Sequence, residues 1–104
     1  MSYIKSILYD EYERLKALSA KYLAEAASLP KGSISVKKRR QREYLYLAYR
    51  EKNRVISKYI GPLDSAKSQE IIKKIGLRKQ YEEKLKKVGK DIAEIERFVH
   101  GRKI

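Results

Sequence analysis

Cysteine is absent from this chain of 104 residues, so neither a disulfide framework nor a thiolate metal site is open to it. Tryptophan is absent as well, and phenylalanine and histidine occur once each, at Phe98 and His100. One histidine with no second histidine or cysteine makes no metal site. His100 reads instead as a helix-terminal residue favourable to the helix dipole. The five glycines, Gly32, Gly61, Gly76, Gly89 and Gly101, stand isolated, which excludes a glycine-rich phosphate loop. Acids are scarce, 13 against 26 Lys and Arg, for a net charge of +13. Glu82-Glu83, Glu94 and Glu96 sit among lysines and read as ion-pairing helix surface rather than converging catalytic carboxylates. The expectation is a protein that is not an enzyme and holds no cofactor and no metal. No apolar run approaches the roughly 20 residues of a membrane span. Met1-Ser2-Tyr3-Ile4-Lys5 lacks the charged-then-apolar layout of a secretory signal. A soluble, cytoplasmic protein with no membrane partner is expected.

What the chain has in excess is positive charge, and it is unevenly placed. Residues 1–30 are neutral, whereas residues 31–60 hold ten cations against only Glu43 and Glu51. Lys37-Lys38-Arg39-Arg40-Gln41-Arg42 packs five cations into six residues, and an aromatic strand pattern, Glu43–Arg50, follows at once. Such a cluster repels itself unless water, salt or a polyanion screens it.

Hydrophobic periodicity sets the fold class. Ile4, Leu8, Leu15, Leu18, Tyr22 and Ala26 recur at helical spacing over residues 2–28, and Leu29-Pro30 ends that helix. The period then changes to two. Ile34 and Val36 alternate with Ser33, Ser35 and Lys37 in a first strand; residues 43–50 form a second and Arg54–Ile60 a third. Connections around Arg39–Arg42 and Glu51–Asn53 suit hairpins, which gives a three-stranded antiparallel meander over residues 33–61. Leu45, Leu47 and Tyr49 should face one way, and Tyr44, Tyr46 and Arg50 the other. Asp64 or Ser65 caps a helical segment over 65–100, one helix or two depending on Gly76. Within it Tyr81, Leu85, Val88, Ile92, Ile95 and Val99 alternate steps of four and three, a coiled-coil stripe with Gly89 off the seam. The reading is α+β: a single domain of residues 1–104, with the C-terminal helix packed antiparallel on the first and the sheet projecting from one end. With 42% apolar and 38% charged residues, its core must be thin.

The cationic hairpin carries the functional expectation. Lys37, Lys38, Arg39, Arg40, Gln41 and Arg42, joined by Arg50, Lys52, Arg54 and Lys58, are the candidate nucleic-acid contacts, since a two-stranded ribbon fits the major groove. The alternative is a solvated loop protecting a sheet edge, but that usually takes one or two lysines. Tyr44 and Tyr46 can stack on unpaired bases; strand propensity and packing on a helix explain them without a ligand and are preferred. The stripe from Tyr81 to Val99 reads first as core, and second as a homodimer or protein-partner face.

Four resemblances rest on particular residues. Lys37–Arg42 resembles the arginine-rich motif of a lentiviral transactivator that binds structured RNA. Leu29–Lys38, Arg42–Glu51 and Arg54–Pro62 together resemble a group of small uncharacterised bacterial proteins with the same hairpin layout. Tyr46–Glu51 and Lys58–Gly61 are similar to the N-terminal region of some insertion-sequence transposases and, more loosely, to the three-stranded arm-binding domain of phage-type integrases. The chain lacks a transposase or recombinase catalytic domain, so the last two imply DNA binding alone, with Lys37, Arg39, Arg42, Arg50 and Arg54 as contacts. The expected function is non-enzymatic nucleic-acid binding, DNA before RNA, in a mobile-element, phage or regulatory accessory protein. The competing expectation is a protein-interaction module, such as an antitoxin or accessory subunit that binds through its helices.

Overall fold

The computed structural model describes residues 3–101, in the order α1 (Tyr3–Ala27), β1 (Ser33–Arg39), β2 (Arg42–Glu51), β3 (Arg54–Pro62) and α2 (Ala66–Gly101). The architecture is α+β, as the two periodicities require. The His100 side chain, expected to favour a helix dipole, lies outside the described residues. The chain forms two compact units: α1 with α2 from Gln80 onward, and Ser28–Lys79. Among the described residues no helix is long and apolar enough to cross a membrane.

In the unit Ser28–Lys79 the strands lie in the order β1-β2-β3, all antiparallel. Successive side chains of a strand point to opposite faces, so alternate residues of central β2 must share one environment. Leu45 and Leu47 are buried, at 0% and 8% exposure, and form the core with Ile60 and Ile75. Tyr49, Leu63, Ile71 and Ile72 pack around them. The first turns of α2 thus cover one face of the sheet. Each fully buried aliphatic side chain contributes about 1.5–3 kcal/mol.

A bulge adjusts β3 to this core. Leu45 pairs with Gly61 and Tyr46 with Tyr59, leaving Ile60 as an extra residue that turns inward. Gly61 is buried and sits at φ +155°, a conformation that suits glycine. The Leu63 N–H then donates to the Glu43 carbonyl at 2.9 Å. Ser65, one of the two caps expected, starts α2: its Oγ accepts from the Ser68 N–H at 3.2 Å, and its hydroxyl donates to Ser68 Oγ at 3.0 Å. The Arg78 Nη1 donates to the Leu29 carbonyl at 2.7 Å, tying the segment that leaves α1 to α2.

The second unit is an antiparallel helix pair. Tyr22 meets Tyr81 at 6.0 Å between ring centroids, while Leu8 and Leu15, nearer the start of α1, share a shallow groove with Ile95 and Phe98. Leu15, Ala26 and Val88 are buried along the seam, and Lys84 Nζ lies over both tyrosine rings at 5.6 and 5.5 Å. Tyr81, Leu85, Val88, Ile92 and Ile95, weighed as a partner or dimer face, are buried or half-buried within the chain. Only Val99 of that stripe is exposed. Ile4, expected in the N-terminal stripe, is 62% exposed and lies off the seam.

Gly32 gives one expectation and the two helical glycines the opposite one. Gly32 has φ +128°, and a Cβ there would fall 2.4 Å from the Ala48 carbonyl oxygen. Gly32→Ala should therefore cost about 1–3 kcal/mol, read as a lower urea midpoint. α2 runs unbroken through Gly76 and Gly89, where a Cβ meets nothing within 4 Å. Gly76→Ala and Gly89→Ala should each raise stability by about 0.5–1 kcal/mol in the same titration.

Candidate nucleic-acid interface

Both hairpins close with two residues in the left-handed region: Arg40 (φ 51°) and Gln41 (φ 69°) after β1, Lys52 (φ 49°) and Asn53 (φ 64°) after β2. This is the type I′ turn, whose twist matches that of the flanking strands and which favours Asn-Gly or Asp-Gly. Asn53 tolerates it; Arg40, Gln41 and Lys52 do so at a cost of about 1–2 kcal/mol per residue. The first turn therefore holds an arginine where local conformation prefers a small or amide-bearing residue.

Register decides which side chains share a face, because directly opposed residues on neighbouring strands point the same way. Lys37 opposes Tyr44, Ser35 opposes Tyr46, and Arg39 opposes Arg42. On the other side Tyr46 opposes Tyr59, and Arg50 opposes Val55. Lys37, Arg39, Arg42, Tyr44, Tyr46, Arg50 and Tyr59 consequently lie together on the face turned away from Ile71, Ile72 and Ile75. Lys38 opposes Glu43, Lys58 opposes Leu47, and Arg54 opposes Glu51, which puts these three cations on the face that carries the core. The ten residues expected as one contact set are thus divided: four on the outer face, three on the core-bearing face, and Arg40, Gln41 and Lys52 in the turns.

The outer face has an aromatic centre. Tyr46 and Tyr59 meet edge to face at 5.4 Å, Tyr44 lies 6.2 Å from Tyr59, and Lys37 Nζ sits 4.6 Å from the Tyr46 centroid. Tyr44 and Tyr46 are half-buried against these neighbours and not against α2, and Tyr59 is 51% exposed. Tyr44 and Tyr46 as helix-packing residues is therefore corrected. They point to the opposite side because Leu45 and Leu47 claim the core. Tyr59 was not among the candidates. Its signal lay in Ile56 and Ile60, which assign the core face of β3 and leave Tyr59 on the other.

Across the strands at the tip, Lys38 stands opposite Glu43 without forming an ion pair. Among the described residues no carboxylate pairs with Lys37, Lys38, Arg39, Arg40 or Arg42; ion pairs form elsewhere, between Arg14 and Glu11 and between Lys74 and Glu70 at 2.9 Å. The Glu11 and Glu70 carboxyls are held below their usual range by hydrogen bonds from those partners. Arg39 directly opposite Arg42 is a like-charge cross-strand pair, a destabilising arrangement. No three of His, Asp and Glu converge as around a metal ion among the described residues.

The family model described as Domain of unknown function (DUF6788) matches residues 8–70, which takes in most of α1, the whole sheet and the capped start of α2. The chain belongs to this family. No curated protein and no solved structure matches it. The span matched by DUF6788 contains every residue of the outer face and the α1 side of the helix seam, and stops short of the α2 side, which begins at Tyr81.

Arg39→Glu should turn the repulsive pair into an attractive one. The expected gain is about 0.5–1 kcal/mol in unfolding free energy, largest at low salt and shrinking as ionic strength screens it.

Proposed function

We propose that this protein binds nucleic acid without catalysis, its cationic hairpin engaging the phosphate backbone. The observation that carries the reading is the tip itself, where Arg39 opposes Arg42 across a strained Arg40-Gln41 turn and, among the described residues, neither arginine is ion-paired with a carboxylate. Two local costs placed together are offset when phosphates occupy the tip, because charge-assisted contacts from arginine are strong and bidentate. Edge protection would need neither the turn strain nor the like-charge pair. The net charge of +13 supports the same partner and steers its approach. A cytoplasmic setting, and an accessory role in a mobile element, phage or regulatory system, belong to this proposal. DNA stands before RNA in it, on the resemblance of Tyr46–Glu51 and Lys58–Gly61 to the N-terminal region of some transposases and, more loosely, to integrase arm-binding domains.

Arg39→Glu with Arg42→Glu should abolish DNA binding at about 0.15 M salt, a near-physiological ionic strength, while the circular dichroism spectrum is retained. Contacts from Lys37, Arg39, Arg40, Arg42 and Arg50 give an expected slope of log affinity against log salt of about −4.5 on duplex DNA. Unchanged affinity in the double variant rejects the reading. A second reading has its own observation: Tyr3, Ile4, Ile7, Tyr9, Leu23 and Phe98 on the helices are all more than 45% exposed. A protein partner docked there, as for an antitoxin or accessory subunit, would leave binding indifferent to Arg39 and Arg42.

A further inference from the structure

We infer that the ligand of the outer face is single-stranded nucleic acid, its bases stacked on Tyr59 and Tyr46 while Arg39, Arg42 and Arg50 hold the backbone; this rests on the nucleic-acid reading and deepens it. The arrangement of charge and rings carries the inference. Arg39 and Arg42 stand at the hairpin end of the face and Arg50 at the far end of β2, with the tyrosine cluster between them. Arg42 to Arg50 spans about 26 Å along the strand, at roughly 3.3 Å per residue. A sheet reading duplex DNA needs hydrogen-bonding groups at its centre, where base edges lie in the groove. Here the centre is aromatic surface, and the bases of a duplex are stacked on one another and present no free π face. An unpaired strand does present one, and cations flanking exposed rings are the pattern of proteins that track single strands.

The local geometry is ready for such a ligand. Tyr59 is half exposed and is held edge to face by Tyr46, which fixes its ring without covering it. Lys37 Nζ covers the Tyr46 ring in the free protein. A base taking that place displaces the ammonium toward a phosphate, exchanging a cation–π contact for an ion pair at an exposed site. Val55, 70% exposed and opposite Arg50, adds apolar surface at the far end of the same face.

The test measures fluorescence anisotropy of labelled 20-mers at near-physiological salt: oligo-dT, oligo-U, a duplex, and an abasic single strand. Oligo-dT or oligo-U should bind at least about tenfold more tightly than the duplex and the abasic strand. Tyr46→Ala with Tyr59→Ala should cost single-strand affinity about tenfold or more, within the range for loss of base stacking, and leave duplex and abasic affinity unchanged. Tyr59→Phe, which keeps the ring, should bind as the parent does. Because the chain has no tryptophan, quenching of tyrosine emission on adding unlabelled oligo-dT gives a second readout. If the double variant unfolds, Tyr59→Ala alone, at its exposed position, carries the same comparison. Equal or tighter duplex binding, equal abasic binding, or indifference to the tyrosine variants overturns the inference while leaving the cationic reading intact. Absence of binding to every probe overturns both.

Discussion

The two-residue repeat of β2 is the constraint on which the rest of the sheet depends. Leu45 and Leu47 supply the buried surface that joins the strands to α2, and they can reach it only from one side of the pleat. Their neighbours in sequence, Tyr44 and Tyr46, are thereby sent to the other side. Register with β1 and β3 then delivers Lys37, Arg39, Arg42, Arg50 and Tyr59 to that same face. A shift of one residue would expose the core and bury the cations together, so burial enforces the composition of the outer face. The core that enforces it is small. Its four buried members are joined by half-buried neighbours, and β1 has no buried residue at all.

That modest core makes the local costs at the hairpin informative. An arginine and a glutamine in left-handed conformation, and two arginines in direct opposition, subtract from a stability that is a small difference of large terms. Ser65 capping α2, the Arg78 Nη1 contact to Leu29 and a glycine at the close approach of position 32 are places where the sheet unit meets its local demands. Left-handed residues close both turns, Lys52 included, but the first turn alone adds the opposed Arg39 and Arg42, and that conjunction is what the proposed function draws on.

Much of the fold was legible in the sequence because period is a strong signal. The change from helical spacing to alternation at Gly32, and back after Gly61-Pro62, marks all five elements to within about two residues. Gly76 left open whether one helix or two follow the sheet, and α2 continues through it; a single exposed glycine weakens a helix without ending one. Ile4 showed that a heptad pattern does not reveal where packing stops. The site was half legible. The cations could be named from composition, but their division between faces depends on register, with Lys38, Arg54 and Lys58 going to the core-bearing side. Tyr59 could have been found from the alternation of Ile56 and Ile60, which leaves it on the face shared with Tyr46. The DUF6788 match adds that the hairpin and its tyrosines lie inside the family's domain, and assigns them no role.

In the proposed function, the sheet unit, charged and strained at its tip and aromatic on its outer face, serves as a platform for an external polyanion. The most direct measurement is an NMR titration of the isotopically labelled protein with a short oligonucleotide, following backbone amides and tyrosine rings. The account predicts shifts concentrated at Lys37, Arg39–Arg42, Tyr46, Arg50 and Tyr59, with Lys38, Arg54 and Lys58 little changed. Shifts centred on the helix pair, or spread evenly over both faces of the sheet, would contradict it.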